Sequence, residues 1–245
     1  PTILYALLMG MSLNYLSQEG RCVPGIQFSA KAVLRIGIAL LGARITFEQL
    51  LGLGITPIAI VLAGVPATIL FGVICGRWLG LSRSQSVLSG ASVGICGASA
   101  ALAVSAVLPE DKDSERNLIF TVIGVTALST VAMILYPLIV AGVGLNETES
   151  GIFLGATIHD VAQVVGAGYM ISDDVGDVAT FTKLLRVASL VPVVVVITLL
   201  FARKGHTQAS NSSLPLPMFL VAFIVIVAIN STGMVPAPIL ESMTE

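Results

Sequence analysis

Apolar residues along the chain fall into runs at 1–16, 32–43, 53–76, 85–108, 117–144, 151–171, 179–201 and 216–235, separated by short polar loops. Several of these runs exceed the roughly 20 residues needed to cross a bilayer as a helix. Backbone groups in lipid must be satisfied within the segment or by a closed barrel, and the alternating ten-residue pattern of barrel strands is absent. The pattern therefore predicts an all-α fold, a polytopic membrane helical bundle forming a single transmembrane domain over residues 1–245.

Within the runs, small residues cluster. The stretch SGASVGICGASAALAV at 89–104 is built largely from Gly, Ala and Ser, and Gly90, Gly94 and Gly97 weaken a helix there. A second segment resembles it: LSGASVGICGASA carries Gly90-Ala91-Ser92-Val93, and FLGATIHDVAQVV carries Gly155-Ala156-Thr157-Ile158, 65 residues later. The same offset aligns ATILFG (67–72) with AMILYP (132–137), so the chain reads as a repeat of two units, about 53–108 and 117–172. Small residues also let membrane helices pack closely, which is the structural alternative. Recurrence in both units favours a different reading, two broken or re-entrant glycine-rich segments whose exposed backbone meets a solute near midmembrane.

Basic residues assign sides. Arg77 and Arg83 follow the 53–76 run, Lys112 and Arg116 follow 85–108, and Arg203 and Lys204 follow 179–201, whereas LNETES (145–150) and SDDVGD (172–177) contain acids and no base. If both glycine-rich segments are hairpins, all the basic loops fall on the cytoplasmic side and the repeats are inverted. If both cross fully, Lys112 and Arg116 lie outside and the repeats are parallel. The basic loops favour hairpins, although Glu110, Asp111, Asp113 and Glu115 dilute the first loop.

Composition agrees with the membrane assignment: 56% of residues are hydrophobic, 11% are charged, and the mean hydropathy is +0.98. The net charge of -2 and the lack of a long basic run leave nucleic acid out as a partner. Cys22, Cys75 and Cys96 have neither metal-type nor redox-type spacing. The chain opens on Pro1 inside an apolar stretch and ends on NSTGMVPAPILESMTE, so it reads as an excerpt with further helices expected at both ends.

The expected binding site draws on Gly94, Ile95, Cys96, Gly97, Ala98 and Ser99 from the first segment and on Thr157, His159, Asp160 and Gln163 from the second. His159 and Asp160 lie inside an apolar run, where ionisable side chains point to function and here to a coupling H+ or Na+. The structural alternative is that Thr157 or Asp160 caps a half-helix. Lys183 and Arg186 share a helix face, where snorkelling to the interface is the commoner fate and balancing a bound anion is nearly as well supported. Lys31 and Arg35, before Arg44, read as membrane-surface anchors. GASVG at 90–94 fits the nucleophile-elbow pattern formally, but the strand-turn-helix context is missing and adjacent His159 and Asp160 make a poor triad, so no enzyme is expected.

Longer stretches carry a family resemblance: PGIQFSAKAVLRIGIALLGARITFEQL (24–50), GICGASAALAV (94–104), YPLI (136–139), GIFLGATIHDVAQVVGAG (151–168) and ATFTKLLRVASLVPVVV (179–195). Together they make the chain similar to the sulfate-exporter family of bacterial inner-membrane proteins, the YeiH type. That resemblance implies a multi-pass plasma-membrane permease, distantly related to bile-acid and cation/proton antiporter folds, with more helices beyond residue 245. The expectation is a secondary transporter of a small anion, sulfate or a related sulfur oxyanion or organic anion, working by alternating access. An anion channel or a non-transporting membrane scaffold is the alternative. No cofactor is expected beyond the coupling ion; the partners are the lipid bilayer and the solute, with a homodimer left open.

Overall fold

The computed structural model describes residues 54–109, 112–202 and 218–231, together with 21–29 and a few isolated positions before residue 41. Lys31, Arg35, Arg44, Glu110, Asp111, Arg203 and Lys204 lie outside the described residues, as does most of the two N-terminal apolar runs. The described elements are all helices: α1 (Val23–Phe28), α2 (Thr56–Trp78), α3 (Arg83–Gly94), α4 (Ala98–Ser105), α5 (Ser114–Val143), α6 (Glu147–Thr157), α7 (Val161–Tyr169), α8 (Asp173–Ala188), α9 (Leu190–Ala202) and α10 (Met218–Ser231).

Among the described residues, three stretches are long and apolar enough to cross a membrane: α2, α5, and α8 continued by α9 from Asp173 to Phe201. Between them lie two pairs of short helices. At 1.5 Å per residue, α3 and α4 are about 18 and 12 Å long, so neither spans a hydrocarbon core of about 30 Å. The pair α6 and α7 is equally short.

Contacts along the long helices show which way each short helix runs. Helix α3 lies antiparallel to α2, with Ser86 against Gly76, Gly90 against Gly72 and Gly94 against Ile69. A Cβ on Gly72 would lie 2.6 Å from the Gly90 Cα, so the two backbones touch and only glycine fits. Along α5, Ser89 meets Thr121 with 3.5 Å between hydroxyls, and Gly97 approaches Val125. Helix α4 then packs in one apolar cluster with Leu118 and Val122 of the first half of α5 and with Val194, Ile197 and Phe201 of α9. The α3–α4 pair therefore doubles back toward the end of the bundle where α5 begins.

The second pair doubles back toward the other end. Gly151 of α6 abuts Val178, Gly155 abuts Thr182, and Gly168 of α7 abuts Gly176, so α6 runs parallel to α8 and α7 antiparallel to it. The far half of α5 follows the same pair: the rings of Tyr136 and Phe153 are 5.4 Å apart, and Gly166 lies beside Met133. Arg77, Arg83, Lys112 and Arg116 sit at the end where the first pair enters; Glu147, Glu149, Asp173 and Asp174 sit at the opposite end. By the positive-inside rule, this is the asymmetry expected if the first end faces the cytoplasm.

The outer faces of the long helices remain apolar, with Leu62, Phe71, Phe120, Ile123, Leu138 and Leu199 all exposed. Such a surface suits lipid rather than water. The sequence around Asn146 also explains a sharp helix start: its side chain accepts from the Glu149 N–H while Glu149 accepts from the Asn146 N–H, a reciprocal cap on α6.

Candidate functional site

The tips of the two short-helix pairs, Ile95–Gly97 and Ile158–Asp160, meet beside the middle of α5. A Cβ built on Gly97 would lie 3.6 Å from the His159 Cβ. Gly97 has φ +67 and ψ -123, a conformation that L residues with a side chain rarely adopt, and it is the N-cap of α4. Gly97 itself offers no side-chain cap to the first turn of α4. The opposite tip is closed differently, since Asp160 is the N-cap of α7 and its Oδ1 accepts from the N–H of Ala162 at 2.8 Å and of Gln163 at 3.4 Å. The capping alternative weighed for Asp160 is thus realised; Thr157 instead ends α6 and donates its hydroxyl to the Phe153 carbonyl at 2.6 Å.

Two cations from α8 bind the other two helix ends. Lys183 Nζ donates to the carbonyls of Ile95 at 2.9 Å and Ile158 at 3.0 Å. Arg186 reaches Val93 and Gly94 on one side, with its shortest contact there at 2.8 Å, and Gly155, Ala156 and Ile158 on the other, with its shortest at 2.6 Å. These carbonyls belong to the last turns of α3 and α6 and to the residues just after them, where no following helical N–H completes the pattern. A positive charge at a helix C-terminus is favourable, because the aligned peptide dipoles place about half a negative charge there. Lys183 is 0% exposed and Arg186 4%. Snorkelling, the fate favoured for these residues from sequence, is therefore overturned: the carbonyl-rich ends hold both side chains inside the bundle.

The remaining residues expected at the site divide. Gly94, Ile95, Cys96 and Gly97 are buried, Ala98 is half-buried, and Ser99 is exposed on the flank of α4. His159 and Gln163 are half-buried, with the His159 Nδ1 and Gln163 Oε1 atoms enclosed and without a hydrogen-bond partner. Ser92, the residue at the centre of the elbow-like GASVG, is buried and its hydroxyl donates to the Leu88 carbonyl at 2.6 Å. Among the described residues no cluster of His, Cys, Asp and Glu could hold a metal ion.

A family model described as conserved hypothetical protein 698 matches residues 1–245. The chain belongs to this family. A UPF0324 membrane protein of Chlorobaculum tepidum is 53% identical over 240 residues, covering 97% of this chain and 67% of that protein. The UPF0324 membrane protein TauZ of Paracoccus denitrificans is 50% identical over 98% of this chain and 72% of its own length. One from Bacteroides thetaiotaomicron is 34% identical over 98% of this chain and 72% of its own. No solved structure matches. With these relatives and its three membrane-length helices, this UPF0324 chain is a multi-pass membrane protein.

Sequence reasoning missed Ser129 and Thr130. Ser129, 1% exposed, accepts from the backbone N–H of both His159 and Asp160 at 3.2 Å, pinning the second tip to α5. Thr130 accepts from the Gln163 amide at 3.1 Å. The available signal was a Ser-Thr pair at the midpoint of a 30-residue apolar helix, where hydroxyls need partners.

Proposed function

We propose that this UPF0324 protein is a secondary transporter of a small anion, a sulfur oxyanion or an organic anion, that works by alternating access. The carrying observation is the junction of two doubled-back helix pairs, which puts four helix ends and two buried cations beside the middle of a membrane-crossing helix. Broken helices meeting at midmembrane are the recurrent binding-site architecture of secondary transporters.

In this reading the anion binds at the first turn of α4, where Gly97 admits close approach of backbone and carries no capping side chain of its own. His159, with Nδ1 unpartnered, and Gln163 line the approach. Asp160 and His159 carry the coupling ion, H+ or Na+. Lys183 and Arg186 hold the negative poles of α3 and α6 and so keep the junction from repelling the anion. The two helix pairs act as inverted repeats, and access alternates as one unit rocks against the other.

Counterflow in proteoliposomes tests the proposal. Vesicles preloaded with unlabelled sulfate, sulfite, thiosulfate, a sulfonate or a carboxylate are diluted into the labelled anion. A carrier shows uptake stimulated by the internal anion for at least one of them. Uptake without exchange stimulation identifies a pore, and no uptake of any of them overturns the reading.

A further inference from the structure

The last carbonyls of α3 and α6 face one another across the junction. In broken-helix carriers, unwound carbonyls and half-helix C-termini are where a coupling cation is held. In this protein two oxygens of that kind, on Ile95 and Ile158, already share one positively charged atom, the Lys183 Nζ, at 2.9 and 3.0 Å. Lysine is a compact point charge with three donors and no acceptor, whereas the planar guanidinium of Arg186 spreads over carbonyls of both helix ends. The two side chains thus divide the work: Arg186 ties the helix ends together, and Lys183 occupies a position shaped for a monovalent ion.

We propose that Lys183 is an internal substitute for a coupling metal cation, its ammonium filling the carbonyl pair of Ile95 and Ile158 so that no Na+ is held there. The word coupling rests on the carrier reading, but the occupancy does not. At 0% exposure, Lys183 is closed off from bulk solvent. Truncation to alanine removes Cγ, Cδ, Cε and Nζ and leaves a narrow void that ends at the carbonyl oxygens of Ile95 and Ile158. A small monovalent cation can enter such a void, and choline cannot.

The test is thermal unfolding of the full chain in detergent at fixed ionic strength, in choline, sodium, ammonium or methylammonium chloride. Wild type supplies the reference melting temperature in each salt. Lys183→Ala should melt about 10 °C lower in choline, because uncompensated carbonyls replace a buried pairing, and should regain at least half of that loss in ammonium or methylammonium. Lys183→Gln, whose amide fills the space, should not respond to the salt. A merely structural lysine would leave Lys183→Ala equally unstable in all four salts, which overturns the proposal. Should Lys183→Ala not fold in choline, the readout becomes the yield of monodisperse protein purified in ammonium against choline, and equal yields overturn it. Failure of the carrier reading appears separately, as absent counterflow in wild type with the melting pattern unchanged.

Discussion

The two tips solve one problem with different chemistry. Each must turn the chain inside the bundle and start a new helix. The first does so with Gly97 at φ +67 and leaves the first turn of α4 without a side-chain cap. The second uses extended backbone at Ile158 and Asp160, caps α7 with the Asp160 carboxylate, and anchors the turn on Ser129. One tip is thus held by conformation and presents bare backbone; the other is held by hydrogen bonds and presents side chains. In the proposed carrier, the first tip would contact the solute and the second would handle charge.

Arg186→Leu attacks what the tips share and carries the largest expected effect. It leaves carbonyls of both helix ends without their donor, at a cost of about 3–5 kcal/mol, or a melting temperature about 10 °C lower for a chain of this size. Thermal unfolding in detergent measures it. A loss below about 1 kcal/mol would mean that the tips are held apart from α8 and that the contrast between them is set elsewhere.

Gly97→Val strikes the first tip alone. The nearest atoms to a Cβ there are 3.6 Å away, an ordinary contact, so the penalty comes from backbone conformation and is about 1–3 kcal/mol. Membrane insertion should be unchanged, while anion binding measured by thermal shift or counterflow should be lost. Unchanged affinity would reduce the glycine to a turn residue.

Asp160→Asn has the smallest expected effect on stability. Asparagine caps helices about as well as aspartate, so the melting curve should move by the equivalent of less than about 0.5 kcal/mol. Dependence of counterflow on a proton or Na+ gradient should disappear. A folded variant with intact coupling would leave Asp160 with the cap as its sole role.

Much of this was legible from the chain. Uncharged runs longer than a membrane crossing fix the helical membrane class, and the small residues at 94–97 mark the place where the helix ends. Asp160 was readable as a cap because it stands just before a run with helical spacing. The destination of Lys183 and Arg186 was not. Their acceptors lie 25 to 93 residues away and are backbone carbonyls, which every residue possesses and no sequence pattern distinguishes. Proximity to a helix end suggested water as their partner, but the interruption of two other helices supplied a better one. Ser129 escaped for a related reason: its value lies in meeting two N–H groups 30 and 31 residues ahead.

The glycine contacts have a mechanical consequence. Gly90 lies on Gly72, and Gly168 lies on Gly176, backbone against backbone. A side chain can change rotamer to let a neighbour slide, but a peptide plane offers no such slack. The first helix pair is therefore welded to α2 and the second to α8. An apolar cluster packs α2, α3 and α4 against α8 and α9, and at the tips the two bodies are also joined by long, jointed side chains, those of Lys183 and Arg186. Of the contacts that join the tips, these two side chains have the most rotatable bonds, so the charged links that steady the junction are also the ones that can adjust without a backbone shift.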